Sequence, residues 1–175
     1  MADTENKPAE LTGRLAVQPS HMIPGIPPFV FSVPVGWMID EAPSALAVIR
    51  LPQEVNGFWI NAILSHDRVA RSVDYKQAAQ ITWAKLKRQA PDVKQTFEKM
   101  ARFGANVVYL RGSELTSPDT KRPLGQLHAM FFAPVAADDK GKVVDFFQIV
   151  CNAPAESIPA YGPGFLEIIG SFRFV

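Results

Sequence analysis

Residues 124–135 (LGQLHAMFFAPV) and 142–152 (KVVDFFQIVCN) decide the fold of this 175-residue chain. Both stretches are long, apolar and rich in aromatic or β-branched residues, as is typical of strands. The short polar turn 137–141 (ADDKG) between them predicts an antiparallel hairpin. Two pairs of aromatic residues are predicted to mark the centre of its sheet: Phe131, Phe132, Phe146 and Phe147.

Apolar runs elsewhere in the chain predict further strands of the same sheet. In residues 29–33, Phe29, Phe31 and Val33 alternate with Val30 and Ser32, and Pro34 ends this predicted strand. Gly104 is a natural turn between two of the other runs. These remaining predicted strands are 45–51, 58–65, 93–103 and 105–115, and residues 116–123 are a predicted loop. The pattern of 93–103 also allows a continued helix, and we favour the strand.

Two helices are predicted. Residues 74–90 carry apolar side chains at helical spacing, with Asp74 and Gln77 placed for a capping box, and Trp83 and Leu86 are expected to be buried. In the second helix Ser157 is the expected cap, and the regular part is expected to begin near Pro163. The order of elements predicts an α+β fold, with a mostly antiparallel sheet flanked by two helices.

Composition limits the classes of function. The net charge of +1 creates no overall field that would attract nucleic acid, and the apolar runs are too short for a transmembrane segment.

The composition of residues 1–27 predicts a disordered, proline-rich arm, and residues 28–175 are predicted to form a single domain. The start of the chain shows no signal peptide and no lipidation cysteine. We therefore expect a cytoplasmic protein as written, or an envelope or secreted one if a longer precursor was trimmed.

Metal and cofactor motifs are absent from the sequence. The three histidines and the single cysteine do not have metal-ligand spacing, and no glycine-rich phosphate motif occurs. We expect no metal, no cofactor and no catalytic residue. Cys151 lies in an apolar run and is expected to be a small buried hydrophobe.

Three segments resemble the LpqN/LpqT family of actinobacterial proteins. They are the Val-Pro-x-Gly-Trp segment that ends at Trp37, the strand segment GFWINAILS at 57–65, and the Ser-Phe-Arg-Phe run that begins at Ser171. The resemblance covers roughly residues 28–175. It implies a PsbP-like fold, an α/β/α sandwich, and a binding or assembly role without chemistry. Many LpqN-like proteins are envelope lipoproteins, and this chain departs from that pattern because it lacks the signal and the lipidation cysteine.

Basic residues cluster around the first helix. Between His66 and Arg102, nine Lys or Arg residues face four acids, although the chain as a whole is close to neutral. The bland interpretation is a solvated helix face. The functional one is a docking surface for an acidic partner or anionic lipid. The residues proposed for that surface are Lys76, Lys85, Lys87 and Arg88.

Trp59 and Asn61 are the second candidate binding site. They lie on the mixed face of the predicted strand 58–65, where they could simply pack under a helix and tie down a loop. They could also line a pocket between sheet and helix for a lipid, another apolar small molecule or a hydrophobic segment.

The sequence therefore leaves three functional hypotheses. The first is a non-enzymatic binding protein that acts through protein–protein contact, and the second is a carrier or chaperone for an apolar ligand or segment. The third is a hydrolase that uses His66 or His128, two residues that could meet in space if their strands are neighbours.

Overall fold

The computed structural model describes residues 25–138 and 140–175, and its centre is a seven-stranded sheet between two helices. The sequence order of the strands is β1 (Phe29–Val30), β2 (Met38–Ala42), β3 (Ala45–Arg50), β4 (Asn61–Ala70), β5 (Lys94–Phe103), β6 (Asn106–Thr116), β7 (Pro123–Ala136), β8 (Val143–Pro154) and β9 (Arg173–Phe174). The helices are α1 (Tyr75–Gln89) and α2 (Ile158–Ser171).

The main sheet has the spatial order β2-β3-β4-β8-β7-β6-β5, and all its neighbouring strands are antiparallel. The predicted α+β architecture, with helices on both faces, is thus confirmed. At the centre, Phe131 pairs with Phe147 and Phe132 pairs with Phe146, as the aromatic pattern predicts. Successive strand residues point to opposite faces, so Phe147 faces α2 and Phe146 faces α1.

The face covered by α2 is a dense aromatic and aliphatic core. The helix contributes Phe165, Ile168 and Ile169, all fully buried against the central strands. Phe172, just beyond the helix, lies 4.7 Å from Phe131 between ring centroids, and Trp37 packs edge-on against Phe165 at 5.8 Å. Ordered aromatic contacts of this kind add to the stability that area burial supplies.

The face covered by α1 is less densely packed. The predicted capping box is confirmed, because Asp74 accepts a hydrogen bond from the Gln77 backbone N–H and the Gln77 side chain accepts one from Asp74 N. Within the helix, however, only Ala78 and Ala79 are buried.

The expectation that Trp83 and Leu86 would be buried is wrong. Both residues are half-buried. The Trp83 ring lies over the guanidinium of Arg111, and Leu86 lines a cavity, so neither packs fully onto the sheet.

Several predicted strand boundaries need correction. The strand predicted at 29–33 is only Phe29–Val30, and it pairs with β9 outside the main sheet. The strand predicted at 58–65 begins at Asn61, because a tight turn between Val55 and Phe58 takes up the preceding residues and places Asn56 and Gly57 at positive φ. Strand β2 was not predicted, since its exposed MIDEA sequence has no regular apolar alternation.

The start of α2 also differs from the prediction. The helix begins at Ile158, directly after a 3-10 turn at Ala155–Ser157, and Pro163 lies inside it. Ser157 precedes the helix but makes no capping hydrogen bond through its side chain. A proline inside a helix removes one main-chain hydrogen bond and crowds the carbonyl four residues before it. The helix forms nevertheless, and the Ile158 side chain anchors its first turn over Gly125.

Residues 1–24, most of the predicted arm, lie outside the described residues, and Ile26 already packs against the core on the α2 side. The division at residues 27 and 28 stays a prediction. No helix in the described ranges is both long enough and apolar enough to span a membrane.

The contact between Gly125 and Ile158 gives a test of how α2 is seated. A Cβ added at Gly125 would lie 2.4 Å from the Ile158 side chain, whereas one added at Gly162, inside α2, would meet nothing within 4 Å. We expect Gly125→Ala to lower the free energy of unfolding by about 1–3 kcal/mol through overpacking. Gly162→Ala, the matched control, should change it by less than about 1 kcal/mol, because the helix preference of alanine is opposed by the clash between a Cβ at 162 and the ring of Pro163. Chemical denaturation measures both, and equal effects would contradict this seating.

Candidate functional site

A cavity of about 490 Å³ lies between α1 and the sheet, and we call it the α1 cavity. Ala78 and Ala79 hold the N-terminal half of the helix close to Met130 and Phe146. Further along the helix, Thr82, Lys85 and Leu86 line the cavity. The apolar walls of the cavity are formed by Val69, Val73, Ile81, Leu86, Phe146 and Val150.

The inner end of the cavity, which we call the polar floor, consists of Arg111, His128 and Gln148. Arg111 on β6 pairs directly with His128 on β7, so the strand register brings the two side chains together. The Arg111 guanidinium donates to Ala79 O at 2.9 Å, to Thr82 Oγ1 at 3.2 Å and to His128 Nδ1 at 3.0 Å. The floor therefore ties the sheet to α1.

The hydrogen bonds of His128 fix its tautomer. An arginine can only donate, so Nδ1 accepts, and Nε2 carries the proton that it donates to Gln148 Oε1 at 2.9 Å. Burial and the neighbouring charge of Arg111 lower the pKa of His128 to about 3. The hydrogen bond to Gln148 acts in the opposite direction, and its effect is smaller. His128 is therefore neutral over the physiological range.

Arg111 is a buried cation with an exposed fraction of only 1%. Its Nε–H has no hydrogen-bond partner, and no carboxylate in the described residues forms an ion pair with it. Glu98 lies on the opposite side of Arg111, is exposed, and accepts a hydrogen bond from Tyr109. Burial lowers the pKa of the Arg111 guanidinium, while the nearby Tyr109 and Glu98 raise it.

The mouth of the α1 cavity carries charges of both signs. Asp67 and Lys85 are exposed there, with Gln89 beside them. Arg68 also borders the cavity, and its Nε donates to Asp145 Oδ1 at 3.1 Å. Because these charges oppose one another, the main positive charge that the cavity presents is at its polar floor.

The four basic residues predicted as one docking surface divide between two flanks of α1. Lys76 and Lys87 are three helical turns apart and share one flank, where the Lys87 Nζ lies 5.6 Å from the Trp83 ring centroid. Lys85 lies on the other flank, at the α1 cavity. Arg88 is exposed in the last turn of the helix. The prediction that these four residues form a single basic face is therefore wrong. Their role in docking a partner stays a prediction.

Trp59 and Asn61 do not line the α1 cavity. Trp59 is 42% exposed beneath the Arg50 guanidinium, which lies 4.6 Å from its ring centroid. Asn61 donates to Trp59 O at 2.8 Å and accepts from Asn152 at 3.0 Å, so it ties down the loop before β4. This arrangement fits the bland interpretation of both residues.

His66 and His128 cannot meet, contrary to the expectation from sequence. The His66 ring lies on the α2 side, 4.9 Å from Phe147, and its Nε2 is 2.7 Å from Asp145 Oδ1. His128 lies on the other face of the sheet, under α1. Cys151, as predicted, is a buried residue of the α2-side core, and burial raises the pKa of its thiol.

Comparison with known proteins identifies the fold. No family model and no curated protein matches the chain. Among solved structures, LpqN of Mycobacterium tuberculosis, described as involved in cell envelope biogenesis, has a TM-score of 0.69 at 14% identity, over 89% of this chain and 87% of its own. Cyanobacterial PsbP (CyanoP) from Synechocystis has a TM-score of 0.60 at 13% identity, over 97% and 99%. The chain has the PsbP-like fold.

A Pseudomonas aeruginosa protein of unknown function, PA94, shares the same fold at lower similarity. Its TM-score is 0.54 at 9% identity, over 78% of this chain and 95% of that one. At identities this low, the structural similarities show the PsbP-like fold alone.

The polar floor was not predicted from sequence. Arg111 follows the apolar run 107–110 (VVYL), but arginine is mostly exposed in folded proteins, so this position alone does not indicate a buried cation. The hydrolase hypothesis named His128, whose contact with Arg111 depends on the β6–β7 register and could not be read from the sequence.

The buried neutral state of His128 makes stability depend on pH. In the unfolded chain His128 protonates near its ordinary pKa of 6.5, whereas in the folded protein it stays neutral to about pH 3. The unfolded state thus binds more protons below pH 6.5, so stability present at pH 7 is lost as the pH falls towards 3. We expect the loss from this residue to be about 2 kcal/mol at pH 5 relative to pH 7.5.

His128→Gln keeps an acceptor for Arg111 and a donor for Gln148 but cannot titrate. Denaturation curves at pH 7.5, 6 and 5 should show a smaller loss of stability for this variant than for the natural chain. Carboxylates contribute equally to both curves, so the difference isolates His128. Parallel curves would show that His128 protonates as easily in the folded state as in the unfolded one.

Proposed function

We propose that this chain is a non-enzymatic binding protein that holds an apolar ligand in the α1 cavity. The observation that supports the proposal is the α1 cavity itself, which at about 490 Å³ has the size of a small-molecule site. Mainly apolar walls with a few converging polar groups are also typical of such sites. The ligand is an apolar small molecule, a lipid or a hydrophobic segment of another protein.

The chemistry of the polar floor favours binding over catalysis. Arg111 holds its proton at all physiological pH values. His128 has both ring nitrogens engaged, and burial keeps its pKa far below neutral, so it is a poor general base. The two residues are suited to orient a ligand rather than to exchange protons with it.

The similar structures suggest where such a protein would act. LpqN is described as involved in cell envelope biogenesis. The corresponding proposal for this chain is a role at the cell envelope, in which a bound lipid or an apolar segment is held away from water.

Filling the α1 cavity tests the proposal. Val150 lines the cavity, and Val150→Trp should place an indole in the space that a ligand would occupy. We expect the natural chain to bind the neutral dye Nile red, and to carry an apolar ligand in native mass spectrometry after gentle purification from its host. Val150→Trp should reduce dye binding by about tenfold or more, because the apolar walls become inaccessible.

Val135→Trp is the matched control. Val135 is 72% exposed and does not line the α1 cavity, so the same substitution there leaves the cavity open. Unfolding curves should establish that both variants fold. Equal dye binding by the two variants would show that the dye binds outside the α1 cavity. If the natural chain bound no dye and carried no apolar ligand, the carrier function would be refuted.

Protein–protein contact is the second proposal, and the exposed basic flank of α1 favours it. Within the described residues, Lys76 and Lys87 are exposed on one flank and neither forms an ion pair with a carboxylate. Unpaired exposed cations are available to an acidic partner, whose approach they would accelerate.

Charge reversal separates this second function from the first. If the flank docks an acidic partner, Lys76→Glu with Lys87→Glu should abolish capture of the partner from host extract. Capture should also weaken with salt, since exposed charges are screened within about 8 Å at physiological ionic strength. Lys85→Glu, on the other flank, is the control and should retain capture. Capture that survives the double reversal and high salt would exclude this flank.

A further inference from the structure

The polar floor of the α1 cavity contains donors without acceptors. Arginine has five N–H groups, and the Arg111 contacts to Ala79, Thr82 and His128 use three of them. The Nε–H and one Nη1–H remain, and the Nε–H is buried without a partner among residues 25–138 and 140–175. Gln148, which lines the cavity, accepts from His128 through Oε1, so its amide N–H groups are also available as donors.

Within the part of the chain that the structure describes, the Arg111 charge on the same floor has no carboxylate paired with it. A buried cation that has no paired anion carries a desolvation cost that a nearby anion would reduce. Glu98 lies on the far side of Arg111 and is exposed to water, which weakens its effect. Available donors and an uncompensated positive charge at the end of an apolar cavity together favour an anionic group there.

We propose that the α1 cavity selects amphiphiles that carry a single carboxylate, and that the carboxylate lies on the polar floor beside Arg111 and Gln148. This inference rests on the proposed function, because it requires a ligand in the α1 cavity. A carboxylate is favoured over a doubly charged phosphate since it matches the one cation of the floor. The apolar tail then runs along the walls towards the mouth.

The depth of Arg111 defines what binding requires. The side chain is 1% exposed, so direct contact with its Nε–H needs a small displacement of α1 from the sheet. The helix packs through two buried alanines, Ala78 and Ala79, and its other cavity-facing residues are partly exposed. Such a helix shifts with little loss of apolar packing, because alanine buries little surface. The Arg111 side chain must follow the helix in this shift to keep its hydrogen bonds to Ala79 O and Thr82 Oγ1.

The mouth favours this inward orientation of the ligand. Asp67 and Lys85 lie there together in contact with solvent, and their charges oppose each other. A carboxylate at the mouth would meet Asp67 and lose little water, whereas on the floor it would compensate the buried charge of Arg111.

The test compares decanoate with 1-decanol at pH 7.5 on the full chain. The two probes have tails of the same length and differ in the charge of the head group. We expect decanoate to displace Nile red at a concentration about tenfold or more below that of 1-decanol, as a hydrogen bond to a charged group predicts. Arg111→Met should remove that preference and still bind 1-decanol, because methionine preserves an apolar side chain of similar length.

Lys85→Met is the control for charge at the mouth. It should retain the preference for decanoate, since the proposal assigns selectivity to the floor. If Lys85→Met lost the preference for decanoate over 1-decanol and Arg111→Met kept it, the proposal would be overturned. Equal affinity of the natural chain for both probes would overturn it too, while the carrier function would stand. Binding of neither probe would refute the carrier function along with it.

A second measurement remains decisive if Arg111→Met does not fold. In the natural chain, the ¹⁵N resonance of the Arg111 Nε–H reports directly on an acceptor near that atom. Decanoate should shift this resonance, and 1-decanol at equal occupancy should leave it nearly unchanged. The same shift with both probes would mean that the carboxylate does not reach the polar floor, and the proposal would fail.

Discussion

The register between β7 and β8 is the constraint on which the rest of the structure depends. Phe131 pairs with Phe147 and Phe132 with Phe146, so each strand contributes one aromatic ring to each face of the sheet. A slip of one residue would exchange the two faces along the whole strand. Strand β8 is the central strand and both of its faces are covered, so such a slip would disrupt both cores. The same constraint fixes the pairing of β4 with β8 and of β6 with β7.

The two faces use this sheet differently. On the α2 side, large rings and Ile side chains fill the space between helix and sheet, and that core is closed. On the α1 side, Ala78 and Ala79 pack against Met130 and Phe146, and Trp83 stacks over Arg111. The other α1 residues that line the cavity are not fully buried, and the α1 cavity lies between them and the sheet.

Local signals in the sequence predicted the elements whose pattern is regular. The alternation in β7 and β8, the Gly104 hairpin and the Asp74 capping box all depend on neighbours within a few residues. The start of β4 could not be predicted, because the turn before it needs positive φ at Asn56 as well as at Gly57. The polar floor could not be predicted either, since it joins residues of three strands and one helix through their register.

The energetic character of Arg111 links the stability of the α1 face to its function. Three hydrogen bonds and the Trp83 ring, 5.0 Å from the guanidinium, offset part of the cost of burying the charge. An apolar side chain of similar length at the same position would lie under α1 without that cost. The arginine instead leaves donors without acceptors among the described residues, beside an apolar space. The sheet is thus well packed on the α2 side, whereas on the α1 side it leaves a cavity and hydrogen-bond donors without acceptors among the described residues. Such local departures from ideal packing and hydrogen bonding are expected at functional sites.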